Sequence, residues 1–131
     1  MTERYRVAIA GCHRMLDRKL SPHNFASAFA AVQETEIVSV FDLGQETREE
    51  FTSCWGDMPA YDNFERMLQD IEPDIVCIAT RQTMHVSQIE MAVSAGVRGS
   101  LCDKPLATSL SEADRIYSAC HTPNVPLAFG L

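Results

Sequence analysis

Residues 6–25 read RVAIAGCHRMLDRKLSPHNF. From Arg6 to Ala10 the run is short, β-prone and nearly continuous in apolar side chains, the pattern of a strand covered on both faces. It stops at Gly11. A strand that runs into glycine near the start of a strand–helix chain usually opens a dinucleotide site, because glycine lets the backbone turn tightly and approach a pyrophosphate. The further glycines of a G-x-G-x-x-G fingerprint are missing, since position 13 is His and position 16 is Leu. Gly11 is therefore either a pyrophosphate turn, followed by a helix offering its N–H groups and positive dipole end, or an ordinary turn glycine. The next stretch holds His13, Arg14, Arg18, Lys19 and His23. It is either a solvated basic loop or a loop that grips phosphate with side chains.

Working outward, strand-like runs recur at Val7–Ala10, Ile37–Phe41, Ala60–Tyr61, Ile75–Ala79, Gly99–Cys102 and Leu127–Phe129. Helical stretches lie between them. Ser21-Pro22 offers an N-cap with proline at the first helical position, ahead of Phe25, Phe29 and Val32. Glu46 to Trp55 is polar and helix-prone, with Phe51 and Trp55 four apart. Asp62 caps a helix carrying Glu65, Met67, Leu68 and Ile71. His85–Ala95 places Val86, Ile89 and Val93 on one side and stops at Gly96. Ser109-Leu-Ser-Glu112 is a capping box ahead of Ala113, Ile116 and Tyr117. Strand–helix alternation implies parallel strands joined by right-handed crossovers. The expected fold is a doubly wound α/β sheet of order 3-2-1-4-5-6 with a minimal third strand, one domain over residues 1–131. No internal repeat or linker interrupts it.

The chain has 131 residues, a net charge of −7 and five cysteines. One domain of this size buries about two thirds of its unfolded surface without staples. The acidic balance argues against a general nucleic-acid or anionic-membrane surface, and no apolar run reaches the roughly 20 residues of a membrane span. Cys12, Cys54, Cys77, Cys102 and Cys120 form no C-x-x-C pair, which fits apolar fillers in a reducing cytoplasm. The opening Met-Thr-Glu-Arg-Tyr-Arg carries no signal-peptide h-region.

In such a sheet, ligands sit at the carboxyl ends of the strands. Asp42 ends the second strand, where a carboxylate accepts both hydroxyls of an adenosine ribose; a solvated turn acid or helix cap is the alternative. Its distance from Gly11 is 31 residues (42 − 11), against roughly 20 in the fingerprint, which places extra residues within Cys12–Leu20. Asp42 would repel a 2′-phosphate, so NAD is expected over NADP. Thr80 and Arg81 sit where the chain leaves the fourth strand, with the Thr80 hydroxyl and backbone available to a ligand. His85 reads as a helix-start residue more readily than as a catalytic base. Asp103-Lys104-Pro105 ends the fifth strand, and the proline restricts the residue before it, which aims Lys104 at a substrate hydroxyl. A surface-loop lysine is the plain alternative.

Together VAIAGC, VSVFD, YDNFERML, PDIVCIAT, HVSQIEMAVSAGV, CDKPLATSLSEAD and PLAFG resemble the nucleotide-binding domain of the Gfo/Idh/MocA (glucose–fructose oxidoreductase / inositol dehydrogenase) family over the whole chain. The resemblance implies a Rossmann domain for NAD or NADP, a second α/β domain that forms the substrate pocket, and reversible hydride transfer on a sugar, inositol or related polyol. By position it puts Gly11 at the pyrophosphate turn, Asp42 at the adenosine ribose and Thr80 near the nicotinamide-side ribose; in the basic loop His13 and Arg14, with Arg18 or Lys19, are the side chains that would hold the pyrophosphate in place of glycine backbone. His85 is the usual histidine after that threonine, and Lys104 is the lysine of the family's Glu-Lys-Pro. Three departures stand out: Gly11-Cys-His13-Arg-Met-Leu16 for the glycine fingerprint, Thr80-Arg81-Gln82 for Thr-Pro-Asn, and Asp103 for Glu. The second domain is expected to be absent from these residues, the isolated chain inactive, and self-association favoured by the apolar surface so exposed. A non-catalytic Rossmann module remains the second reading, and an S-adenosylmethionine-binding fold a third.

Overall fold

The structure, a computed structural model, describes residues 3–18 and 24–130. Six strands alternate with five helices: β1 Tyr5–Ala10, α1 Phe25–Ala31, β2 Thr35–Phe41, α2 Gln45–Trp55, β3 Ala60–Tyr61, α3 Phe64–Ile71, β4 Ile75–Ile78, α4 Gln82–Ser94, β5 Gly99–Asp103, α5 Leu110–His121 and β6 Leu127–Gly130. All pairings are parallel, in the order β3-β2-β1-β4-β5-β6. This is the expected doubly wound sheet, down to the two-residue third strand.

The central strands are apolar throughout because helices cover both faces. One core gathers Ala8, Ala10, Phe41, Val76, Ile78 and Cys102 under α3, α4 and α5. The other gathers Val7, Ile9, Val40 and Cys77 with Ala26 of α1 and Phe51 of α2. The β1–β2 ladder slips once: Val7 pairs with Ile37 but Ala8 with Ser39, leaving Val38 as the extra residue of a bulge.

Four local expectations change. The Ser21-Pro22 helix start lies outside the described residues, as do Lys19 and His23; the described helix α1 starts at Phe25, where the Asn24 side chain accepts from Ser27 N at 3.1 Å. It buries Ala26 and Ser27, with Phe25 and Phe29 half-buried and Val32 exposed at its C-cap. Asn63, not Asp62, caps α3 and accepts from Arg66 N at 2.9 Å; both types cap well, and composition cannot choose between neighbours. Helix α4 begins at Gln82, three residues before His85, behind a cap residue Arg81 that makes no side-chain cap bond. Tyr117 does not face the core. It is 64% exposed and stacks on His121 at 4.9 Å between ring centroids.

The capping box of α5 forms with a variation. Ser109 Oγ accepts from Glu112 N at 3.1 Å, while the Glu112 carboxylate reaches back to Thr108, accepting from its N at 2.8 Å and from its hydroxyl. The bonds from the Thr108 side chain and backbone hold Glu112 below its ordinary carboxyl value.

The five cysteines are free. Burial pushes the Cys77 thiol up, and pushes Cys102, beside Asp103, up to about 12. The thiolate is the reactive form. A thiol reagent is therefore expected to modify half-exposed Cys54 in the folded protein and the buried Cys12, Cys77 and Cys102 only after unfolding. Peptide mass mapping reads this, and fast native labelling of Cys77 would contradict it.

Candidate functional site: a cleft at the carboxyl ends of the strands

Where the strand order reverses between β1 and β4, the connections leave the sheet in opposite directions and open a crevice. Here that crevice is a cleft of about 910 Å³. Its lining comes from four strand ends: Gly11, His13, Arg14 and Met15 after β1; Asp42, Leu43 and Gly44 after β2; Thr80 and Arg81 after β4; Asp103, Lys104 and Pro105 after β5. A smaller hollow of about 510 Å³ over α2 is lined by Glu46, Glu49 and Glu50, a poor home for any phosphate.

Gly11 is required by the protein's own backbone. Its φ is +83°, and a Cβ there would stand 2.6 Å from Ala79 O and 2.8 Å from Thr80 N. The close approach that glycine permits is thus between the ends of β1 and β4, at the floor of the cleft. Gly11 N donates to Phe41 O at 2.8 Å, and Ala79 N donates to Ala10 O at 2.7 Å.

The helix that follows does not serve the cleft. The N-terminus of α1 lies fourteen positions beyond Gly11 (25 − 11) and is capped by Asn24, and none of the described residues of α1 lines the cleft. The inserted loop is anchored elsewhere. Trp55 Nε1 donates to Met15 O at 2.7 Å, the Arg18 guanidinium stacks 4.7 Å above the Trp55 ring, and Arg18 Nε donates to Cys54 O at 2.9 Å. Arg18 is therefore committed to α2. His13 and Arg14 are the basic residues of the described loop that line the cleft, both exposed.

Asp42 is held from two sides. Its Oδ2 accepts from Cys12 N at 3.0 Å and its Oδ1 from Gly44 N at 2.9 Å. Burial, then the charge of Asp42, drives the Cys12 thiol up, so it stays protonated beside Oδ2 at 3.7 Å. A carboxylate offers about four acceptor sites; Cys12 N, the Cys12 thiol and Gly44 N take three, which leaves a site on Oδ1 for a further donor. Arg48 Nη1 donates to the Asp42 carbonyl at 2.6 Å and steadies the strand end.

Thr80 and His85 differ from expectation. The Thr80 hydroxyl is engaged within the protein, donating to Gln88 Oε1 at 2.5 Å; Gln88 is buried. His85 is 1% exposed and outside the lining. Its Nε2 lies 3.0 Å from Thr80 O and its Nδ1 3.2 Å from Leu106 O. The earlier start of α4 puts His85 a turn inside the helix, which carries its ring into the core. Arg81 is exposed at the rim, and Asp103 Oδ1 accepts from Lys104 N at 2.9 Å, leaving the Lys104 side chain exposed toward the cleft. The Lys104–Pro105 peptide is cis. Sequence reasoning gave Cys12, Gly44 and Gln88 no part in the site; their contacts join residues brought together only by the fold or by a turn.

A six-stranded parallel sheet in this order, with an aimed acid ending β2 and basic side chains around the switch point, defines a dinucleotide-binding domain of the Rossmann class. The sequence profile of the Gfo/Idh/MocA oxidoreductase family, NAD-binding Rossmann fold, matches residues 5–131, and the chain belongs to that family. It is similar to the D-apiose dehydrogenase of Paraburkholderia graminis, with 30% identity over 125 residues that cover 95% of this chain and 32% of that protein. In structure it resembles the myo-inositol 2-dehydrogenase of Lactobacillus plantarum, with a TM-score of 0.85 at 23% identity over 98% of this chain and 36% of that one. It also resembles the scyllo-inositol dehydrogenase of Lactobacillus casei with bound NAD(H) and scyllo-inositol, with a TM-score of 0.82 at 17% identity over 98% and 36%. The chain spans about a third of the length of the curated relatives it matches.

Proposed function

We propose that this chain binds NAD in the cleft as the cofactor half of an oxidoreductase that moves hydride to or from a carbon bearing a hydroxyl on a sugar, inositol or related polyol. The carrying observation is the convergence of Arg14, Asp42, Arg81 and Lys104 from four strand ends on one cleft. Asp42 takes an adenosine ribose hydroxyl, Gly11 shapes the floor, and Arg14 with His13 meets the pyrophosphate from the side. Asp103 steadies Lys104. When bound, the nicotinamide accepts or supplies the hydride, and Lys104 is the group that hydrogen-bonds the reacting hydroxyl and carries its proton. The family match and the D-apiose dehydrogenase it resembles support the substrate class.

Side-chain capture of phosphate makes a specific prediction. Arg14→Ala is expected to weaken NAD and ADP binding about 10–30-fold, the loss of a charge-assisted bond of roughly 1.5–2 kcal/mol, and to leave adenosine binding unchanged. Calorimetric titration of the wild-type chain tests the whole reading. Micromolar binding supports it; no binding of either dinucleotide sinks it and favours a non-catalytic Rossmann module, the alternative that the missing glycines and the Asn24-capped α1 favour. On this reading the 131 residues alone bind cofactor without oxidising a polyol, since hydride transfer needs a positioned substrate.

The five free cysteines fit a reducing cytoplasm. No described helix is long and apolar enough to cross a membrane. Exposed Tyr117 and Phe129 fit self-association, which a monomeric mass by light scattering at high concentration would remove.

A further inference from the structure

Helix α4 carries a side chain that the dinucleotide reading leaves without a task. His85 is buried, yet both ring nitrogens face backbone carbonyls from different segments: Thr80 O, at the exit from β4, and Leu106 O, in the connection between β5 and α5. Leu106 lies two residues past Lys104. We infer that His85 is a positioning residue that ties the segment carrying Lys104 to the segment carrying Thr80 and Arg81, so that these two walls of the cleft keep one spacing. The inference rests on the proposed NAD reading, which puts these walls at the nicotinamide end.

The surrounding bonds show why one side chain matters. The Thr80 side of the tie is rigid, because its hydroxyl is fixed to buried Gln88 one turn further along α4. The Lys104 segment leaves β5 at Asp103, and its far end is held where Glu112 grips Thr108. Between those anchors Leu106 and Ala107 pack on the core, and among the described residues the hydrogen bond reaching this segment from a side chain of another element is the one to His85. A neutral imidazole donates to one carbonyl at a time and the doubly protonated ring to both. In either form the ring fills the space between two segments that are otherwise joined through the sheet. Asp42 and Gly11 lie on the other side of the switch point and make no contact with this ring. Loss of His85 should therefore act on one half of the cleft alone. A residue of merely structural worth would weaken both halves together.

The test compares His85→Leu, which keeps bulk without a donor, with His85→Gln, which restores an N–H. NADH and ADP serve as ligands, and backbone amide hydrogen exchange is followed across residues 103–107. His85→Leu is expected to bind NADH about tenfold more weakly and ADP within twofold of wild type, and to lose protection at Lys104, Leu106 and Ala107. His85→Gln is expected to regain part of both. Equal weakening of NADH and ADP, or unchanged NADH binding with unchanged exchange, overturns the inference. If His85→Leu does not fold, the His85→Gln comparison decides. If the wild-type chain binds neither ligand, the NAD reading fails, and exchange across 103–107 in the variants then decides the tie by itself.

Discussion

Replacing Gly11 by alanine is expected to destabilise the domain by about 2–5 kcal/mol and to lower its thermal midpoint by roughly 10 °C or more. Two costs combine. A φ of +83° disfavours any residue with a Cβ by about 1–2 kcal/mol. The new methyl would also stand 2.6 Å from Ala79 O and 2.7 Å from its carbonyl carbon. These are backbone atoms of the central strand pair, so relief means moving the end of β1 away from β4, at an overpacking cost of about 1–3 kcal/mol. Gly96 separates the two contributions. Its φ is +90°, but nothing lies within 4 Å of a Cβ there, so Gly96→Ala should show the conformational cost alone, about 1 kcal/mol. Urea titration of both variants reads the difference. Equal stabilities for the two would show that the contact with Ala79 is easily relieved.

The second large effect concerns Asp42. Wild-type chain is expected to prefer NAD to NADP by at least about 100-fold, or roughly 2.7 kcal/mol, because the 2′-phosphate brings a charge of about −1.5 to −2 against a carboxylate that cannot swing away. It is pinned through Cys12 N and Gly44 N. Asp42→Ala should weaken NAD roughly 30–100-fold by removing the ribose acceptor, at some expense in stability, since buried Cys12 N loses its partner. Asp42→Asn keeps an acceptor oxygen for Cys12 and removes the charge. It sets its NH2 against exposed Gly44 N, so it should be slightly less stable than wild type but closer to it than Asp42→Ala, bind NAD several-fold more weakly, and bring NADP to within about fivefold of NAD. Titration of both dinucleotides against all three proteins checks this, and a wild-type chain that binds NADP as tightly as NAD would refute it.

The sheet was legible because burial on both faces leaves a mark in the residues themselves. Val7–Ala10 and Ile75–Ile78 are apolar without alternation, and even Ala60–Tyr61 stood out between turn residues. Caps were less legible. Asp62 and Asn63 are both competent, and the backbone angles that choose between them are not written in composition. Helix α4 began early because Arg81 gives no capping signal, and that turn of helix separates a rim histidine from a buried one. The site was legible as a set of strand-end positions: Gly11, Asp42, Arg81 and Lys104 do meet in one cleft. Side-chain direction was not legible. The Thr80 hydroxyl chooses Gln88, a residue eight positions on, and Arg18 chooses Trp55 across the fold. Both are decisions of packing between elements.

The bulge at Val38 carries a consequence for Asp42, four residues downstream. A strand presents its side chains to opposite faces in turn, so one unpaired residue inverts the assignment of everything after it. Ile37 and Val40, three apart, both pack beneath α1 and α2, whereas Phe41 falls under α3. An uninterrupted β2 would send Phe41 to the wrong helix layer and enter the turn at Asp42 half a pleat out of step. The polarity of the cleft mouth is thus timed by an extra residue in mid-strand, whose exclusion from the ladder keeps Phe41 and Asp42 in phase with the strand beside them.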